Sequence, residues 1–159
     1  MMCPRRLVGD LLVVPTGFDD PAVRRLTGAM EAEMTAAYGG GAASPAATHD
    51  FSTPPAVFLL ARLDGADVGC AGLRRLADGV GEVKRMYVDP AARGRGVGRR
   101  LLGGLLDHAR AVGLTRVQLG TGTEQPGAIA LYESEGFTPI AAYGHHREDP
   151  RSRCFALDL

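Results

Sequence analysis

The segment RGRGVG, from Arg93 to Gly98, places three glycines at alternate positions directly before a run with the pattern of a helix. Glycine loses more backbone entropy on folding than any other residue, so this spacing indicates a backbone that bends sharply or lies against another molecule. The first N–H groups of a helix have no intrahelical partners, and the helix dipole adds partial positive charge there. The segment therefore predicts an anion site of the kind that holds a pyrophosphate on backbone amides.

Four arginines accompany these glycines and can add charge-assisted contacts to the same anion: Arg93, Arg95, Arg99 and Arg100. The alternative interpretation is a flexible loop with solvated arginines. A Walker-type nucleotide loop is excluded because no G-K-[ST] follows. The dinucleotide fingerprint is excluded because the predicted structure before the glycines is an antiparallel meander and not the first strand of a βαβ unit.

Outward from the glycines, strand-like and helix-like segments alternate. Turn signals at Asp64-Gly65 and Asp78-Gly79 divide residues 56–88 into three strands, which predicts the meander. The helix after the glycines carries one apolar stripe, formed by Val97, Leu101, Leu102, Leu105, Leu106, Ala109 and Val112. The other predicted elements are strands at residues 7–14, 114–121, 137–143 and 153–159, a helix at residues 21–38 capped by Asp20, and a short helix at residues 126–136. The predicted fold class is α/β, a mixed and mostly antiparallel sheet flanked by helices.

Composition narrows the range of functions. The chain has 159 residues, and its 18 basic and 18 acidic residues cancel, so neither a nucleic acid nor a membrane surface is expected as a partner. The length suits a single domain spanning residues 1–159. Three widely spaced cysteines indicate reduced thiols and a cytoplasmic protein, and no metal site is predicted.

Two motifs together resemble the GNAT superfamily, the acetyl-CoA-dependent N-acetyltransferases related to Gcn5. RGRGVG matches the family signature Q/R-x-x-G-x-G/A, and QPGAIALYESEGF, at residues 125–137, resembles its second motif N-x-x-A-x-x-L-Y-x-x-x-G-F. The order and spacing of the motifs also match, and the resemblance extends over roughly residues 7–159. It implies a small single-domain bacterial-type member whose sheet is split at the acetyl-CoA site.

The resemblance also implies that acetyl-CoA is the co-substrate. The backbone amides of residues 95–99 would hold its 3′-phospho-ADP end, and the pantetheine arm would pair with the splayed strand that carries Met86 and Val88. The expected cofactor-binding residues are Met86, Tyr87, Val88, Arg93, Gly94, Arg95, Gly96, Val97, Gly98, Arg99, Gln125, Ala128 and Tyr132. Gln125 stands where the family usually has Asn, so the resemblance does not carry over the contact of that asparagine with pantetheine or as a local cap.

Acetyl transfer requires a neutral amine and a donor for the leaving thiolate. Alkyl amines have pKa values near ~10, so a base or a desolvating site must remove a proton. Glu82 is the candidate base, directly or through water, and period-2 alternation places it on one strand face with Lys84 and Met86. The alternative is a carboxylate that is solvated or paired with Arg85 or Lys84. Tyr132 matches the family tyrosine and is the candidate general acid, with core packing as its alternative.

The acceptor is expected to contact Glu82, Tyr38, His145 and His146, and Gly120 is expected to open the acceptor cleft. The predicted function is transfer of an acetyl group to a primary amine of a small molecule, by direct attack through a tetrahedral intermediate. A long loop at residues 39–55 favours a capped site and hence a small acceptor. The alternatives are a protein lysine or N-terminal acetyltransferase, and a non-catalytic acyl-CoA-binding module. Members of this size are often dimers, so a homodimer is a further expectation.

Overall fold

The predicted meander forms the centre of a seven-stranded sheet in a computed structural model, which describes residues 10–39 and 48–159. Its strands are β1 (Leu11–Thr16), β2 (Val57–Leu63), β3 (Ala66–Ala77), β4 (Val80–Val88), β5 (Arg116–Gly122), β6 (Thr138–Ile140) and β7 (Ser152–Asp158). Within the described residues the order is β1-β2-β3-β4-β5-β7-β6, and the β4–β5 pair is the parallel one. The expected mixed, mostly antiparallel sheet is confirmed.

Three α-helices cover the described part of the sheet: α1 (Pro21–Tyr38), α2 (Val97–Ala111) and α3 (Pro126–Ser134). The Asp20 carboxylate accepts a hydrogen bond from the Ala22 N–H at 2.8 Å, which confirms the predicted N-cap of α1. The predicted stripe of α2 is buried from Val97 to Ala109 against one face of the sheet. Val112 is the exception, because α2 ends before it and leaves it exposed.

The ends of two predicted strands are wrong. The first strand continues past residue 14 to Thr16, and Pro15 is tolerated because β1 is an edge strand. Residues 1–9, the start of that prediction, lie outside the described part of the chain. The strand predicted at residues 137–143 is only three residues long, because the chain leaves the sheet after Ile140 towards a short 3₁₀ turn, Gly144–Glu148. Of the predicted loop at residues 39–55, positions 40–47 are not described.

A bulge interrupts β4 at Arg85, which has a φ of 55°. Cys70 pairs with Tyr87 and Gly72 pairs with Lys84, so Ala71 of β3 lies opposite both Arg85 and Met86. Such an extra residue reverses the side-chain alternation that follows it. The sheet separates two cores, one between the sheet and α2 and a smaller one under α1. The bulge places Tyr87 in the smaller core.

Candidate functional site

The glycine segment forms a tight turn that starts α2. Gly94 and Gly96 have φ values of 77° and 81°, and a Cβ at either position would meet nothing within 4 Å, so their backbone faces open space. Gly98 is needed for a different reason, because its Cβ would lie 3.3 Å from Leu131 and 3.7 Å from Met86. Gly96 is the N-cap of α2 and provides no side-chain cap to the first-turn amides. The turn therefore presents an open helix start that suits an anion.

Two of the arginines bind protein carboxylates. The Arg93 guanidinium donates to both oxygens of Glu33 on α1, at 2.8 and 3.0 Å, and its Nε donates to the Val88 carbonyl at 2.9 Å. Arg99 pairs with Glu135 and donates to the Ser134 hydroxyl. To contact an anion as expected, each arginine would therefore have to leave its carboxylate or bind the carboxylate and the anion together. Both arginines still line the cavity beside the turn.

The β4–β5 pairing ends early and leaves a cleft. The parallel pairing runs from Val80–Arg116 to Glu82–Gln118 and stops there, although both strands continue. Two cavities occupy the region beyond the split. One of about 620 Å³ is lined by the glycine turn, the end of β4 and the start of α3. The other, about 800 Å³, lies between α1, β4, β5 and the 3₁₀ turn. The splay expected from the resemblance is present.

The two cavities share part of their lining, namely Met30, Met34, Met86, Gln125 and Tyr132. Tyr132 is 6% exposed, and burial raises the pKa of its hydroxyl to about 12. The phenol is therefore a neutral hydrogen-bond donor near pH 7. Its ring packs against Phe137 and Phe155, at centroid distances of 5.9 and 6.4 Å. The side chain thus packs in the core and also reaches the junction of the cavities.

Most of the expected cofactor-binding residues line the first cavity. These are Met86, Tyr87, Val88, Arg93, Gly94, Gly96, Val97, Gly98, Arg99, Gln125, Ala128 and Tyr132. Arg95 is exposed and is not part of this lining. The Gln125 Oε1 accepts from the Thr121 hydroxyl at 3.1 Å and from the Gly122 N–H at 3.2 Å. Glutamine therefore makes a local contact that holds the β5–α3 connection.

Glu82 is 2% exposed and sits behind the second cavity, whose lining does not include it. Its Oε1 accepts from the Arg74 guanidinium at 2.8 and 2.9 Å, and its Oε2 accepts from the Tyr143 hydroxyl at 2.5 Å. The Lys84 ammonium lies 3.8 Å from Oε1. The anticipated Lys84 pair is thus present, whereas Arg85 pairs with Glu31 at 3.0 Å. The sequence did not reveal the Arg74 and Tyr143 contacts.

The expectation that Glu82, Lys84 and Met86 share one face of the strand is wrong for Met86. Val83 packs in the α2 core before the bulge, and Met86 and Val88 pack against that core after it. Glu82 and Lys84 therefore face the opposite side of the sheet from Met86. The cause is the extra residue at Arg85, which reverses the alternation.

The expected acceptor residues Tyr38, His145 and His146 all line the second cavity. Burial, with smaller contributions from His145 and Lys84, lowers the pKa of His146 to about 4, and burial also lowers the pKa of His145. Both imidazoles are therefore neutral near pH 7. The Tyr38 hydroxyl accepts a hydrogen bond from the Glu124 N–H at 2.8 Å. The Arg151 guanidinium covers the Tyr38 ring at 5.0 Å from its centroid.

Gly120 does not open the cleft in the expected way. A Cβ at Gly120 would overlap the His146 ring, and a Cβ at Gly122 would overlap the Tyr38 phenol. The missing side chains of β5 thus make room for two rings that form the cavity wall. The Tyr143 ring packs edge-on to His146 at 5.4 Å, so the same segment connects this wall to Glu82.

Replacing Gly120 by alanine is expected to lower the free energy of unfolding by about 1–3 kcal/mol, because the His146 ring must move. Gly103→Ala is the matched control. Gly103 lies inside α2 with nothing within 4 Å of its Cβ, so alanine there should stabilise by about 0.5–1 kcal/mol. Urea unfolding measures both. Removing the ring in a Gly120→Ala/His146→Ala variant should recover part of the loss, and no recovery would contradict the contact.

Residues 10–39 and 48–159 contain no helix that is long and apolar enough to cross a membrane. The same stretches hold no group of three or more His, Cys, Asp or Glu side chains arranged to bind a metal ion.

Comparison with known proteins assigns the family. Residues 27–137 match the sequence profile of the Acetyltransferase (GNAT) family. The chain belongs to this family. It is 46% identical over 100 residues to an IAA acetyltransferase of Azospirillum brasilense, and 43% identical over 100 residues to the N-alpha-acetyltransferase RimI of Mycobacterium tuberculosis. The matches cover 62% and 60% of this chain, but only 65% and 61% of the relatives, less than two thirds of their length.

The GNAT assignment agrees with the fold. A crystal structure from Klebsiella pneumoniae assigned as an acyl-CoA N-acyltransferase superposes with a TM-score of 0.77 at 29% identity, covering 94% of this chain and 97% of that one. The GNAT profile spans the glycine turn, the splayed end of β4 and Tyr132. The matched range includes the whole lining of the first cavity, whereas part of the second cavity's lining, including His145 and His146, lies beyond residue 137.

Proposed function

We propose that the protein is an acetyl-CoA-dependent N-acetyltransferase that acetylates a primary amine of a small molecule. The observation that carries the proposal is the meeting of two cavities at Met86 and Tyr132, beyond the point where β4 and β5 separate. One cavity begins at the open start of α2, which suits phosphate, and the other cavity does not include this helix start. Two substrates can therefore occupy one cavity each and react where the linings meet.

The glycine turn fits the phosphates of acetyl-CoA. Gly94 and Gly96 have left-handed backbones with open space where side chains would be, so a pyrophosphate can approach the amides at the start of α2. Beyond Glu82, where β4 no longer pairs with β5, the strand offers backbone groups to the pantetheine arm. When bound, the thioester supplies the activated acetyl group.

Three groups of the chain would assist the transfer. A backbone N–H at Met86 or Val88, on the unpaired edge, would donate to the thioester oxygen. The Tyr132 hydroxyl would donate to the departing thiolate. Glu82 would receive the amine proton through an intervening water, because its carboxylate lies behind the cavity wall and both of its oxygens already accept hydrogen bonds.

The second candidate is a protein N-terminal or lysine acetyltransferase. The likeness to an N-alpha-acetyltransferase favours it. The ring wall formed by Tyr38 and His146 favours a small acceptor instead, because it closes one side of a cavity of about 800 Å³. The cytoplasmic location and the homodimer expected from the sequence stay predictions.

The test is release of CoA thiol with free amines and with peptides of matched N-terminal residues, both at saturating acetyl-CoA. Turnover of free amines at least about tenfold above the matched peptides supports the proposal. Preference for the peptides would move the assignment to a protein acetyltransferase. Acetyl-CoA binding without turnover of either set would indicate a binding module.

A further inference from the structure

Arg85 occupies a backbone conformation that arginine rarely adopts. Its φ of 55° lies in the left-handed region, where a residue with a Cβ is strained by about 1–2 kcal/mol. Glycine or asparagine would fit this bulge with less strain. The long cationic side chain at this position therefore suggests a use for the guanidinium that outweighs the strain.

The bulge places two consecutive cations on one side of the sheet. Lys84 lies on the face of Glu82, and Arg85 reaches Glu31 on α1, which packs over that same face. Regular alternation would have directed them to opposite faces. Their side chains are 5% and 9% exposed, and both residues line the larger cavity.

The carboxylates that face these cations are unequal. Glu82 is held by Arg74 and Tyr143 deep behind the wall. Asp50, whose charge also acts on Lys84, pairs with Arg74 at 3.3 Å. Glu31 is 53% exposed at the solvent end of its pair with Arg85. Because the Glu31 carboxylate is the exposed partner and Arg85 is the buried one, Glu31 can turn away to solvent while another carboxylate takes its place on the guanidinium.

The other charged residues of this cavity lie on the segment before β7. Arg151 is bound by Asp149 at 3.1 Å, and Glu148 lies near the exposed His145. Both histidines of this wall are neutral near pH 7 because their pKa values are lowered. The inner wall therefore carries two basic side chains, Lys84 and Arg85, and burial lowers the pKa of the Lys84 ammonium against the opposing effect of Glu82. The carboxylates of the cavity lining lie towards solvent.

We propose that Arg85, assisted by Lys84, binds a carboxylate of the acceptor, so that the acceptor is an amine that also carries a carboxylate, as amino acids do. The inference rests on the proposed function and names the substrate class of the same site. The acceptor carboxylate replaces that of Glu31 on the guanidinium. Met86 follows Arg85 in β4 and lines both cavities, so a carboxylate bound to Arg85 lies one residue along the strand from the place proposed for the thioester. Bidentate pairing with a carboxylate is the geometry for which arginine is suited.

The experiment compares L-amino acids with their own carboxamides. Each pair is measured twice, as kcat/KM in the thiol-release assay and as equilibrium binding to the CoA-loaded protein. The carboxamide has the more easily deprotonated amine, so a preference for the acid cannot come from amine basicity. The expected preference for the acid is about 10- to 100-fold, the effect of one hydrogen-bonded charge.

Three variants locate the effect. Arg85→Gln should remove the preference for the acid. Glu31→Gln should lower the KM of the acid several-fold and leave that of the carboxamide unchanged, because it removes the competing carboxylate from an exposed position. Arg62→Gln is the matched control, since Arg62 is an exposed arginine of β2 that pairs with Asp67 away from both cavities. It should retain the wild-type preference.

Equal kcat/KM for acids and carboxamides in the wild type would overturn the proposal, as would an undiminished preference in Arg85→Gln. If acetyl-CoA binds but no amine is acetylated, the proposed function fails, and the equilibrium binding measurement still tests the carboxylate site. Tighter binding of acids than of carboxamides, lost in Arg85→Gln, would support the carboxylate site, and equal binding of the two would overturn it. If acetyl-CoA does not bind, the same comparison is made on the protein alone.

Discussion

Gly96→Glu is expected to weaken acetyl-CoA binding by about 100-fold or more. Gly96 is the N-cap of α2, and nothing lies within 4 Å of the position that its Cβ would take. A carboxylate there would enter the space in which the pyrophosphate is proposed to lie. Like charges about 4 Å apart near a protein surface repel by up to ~4 kcal/mol, and each ~1.4 kcal/mol is a factor of ten in affinity. Calorimetric titration with acetyl-CoA measures the loss.

Two controls separate charge from strain. Gly96→Gln has the same size and the same left-handed backbone penalty as Gly96→Glu, so it should bind at least about tenfold more tightly than the glutamate variant. Gly103→Glu places a carboxylate further along α2, in open space outside both cavities, and should bind normally. If a folded Gly96→Glu protein binds acetyl-CoA as the wild type does, the glycine turn is not the phosphate site.

The glycine turn and the elements around it could be predicted because their signals are local. The left-handed positions at Gly94 and Gly96 and the apolar stripe of α2 are each set by residues a few positions apart. The same holds for the hairpin turns at Asp64-Gly65 and Asp78-Gly79. The resemblance to the GNAT family uses the same local residues, which explains why the fold could be predicted from them.

The environment of Glu82 could not be predicted, because it depends on distant residues. Tyr143 is 61 positions away from Glu82. Arg74 lies on the neighbouring strand β3, and its contact with Glu82 depends on the β3–β4 register, which the turn residues indicate only approximately. The bulge at Arg85 has no sequence signal, since arginine does not favour positive φ. A strict period of two therefore assigned Met86 to the wrong face.

Gly120 shows how an isolated glycine can mislead. Read along the strand, a missing side chain suggests an open cleft. In the fold, the 3₁₀ turn brings His146 back over β5, and the ring occupies the space that glycine leaves. The return of this segment is set by tertiary packing, including the Tyr143 contact with Glu82, and not by the composition of β5.

Tyr132→Phe is expected to lower kcat by about tenfold or more and to leave the affinity for acetyl-CoA within about twofold. General-acid groups contribute about 10²–10⁴ in rate, and phenylalanine removes only the donor. The aromatic contacts with Phe137 and Phe155 do not need the hydroxyl, so the free energy of unfolding should change little. A purely structural tyrosine would show the reverse pattern, with lost stability and normal turnover in the folded fraction.

The pH dependence sharpens this test. Burial raises the pKa of the Tyr132 hydroxyl to about 12, so the protonated donor form is present at every lower pH and is lost only above that value. The wild-type rate should therefore show no alkaline decline from this group between pH 6 and pH 10. The ratio of wild-type to Tyr132→Phe rates should be constant over the same range. Single-turnover measurements at saturating acetyl-CoA isolate the chemical step, and equal single-turnover rates for the two proteins would remove Tyr132 from the mechanism.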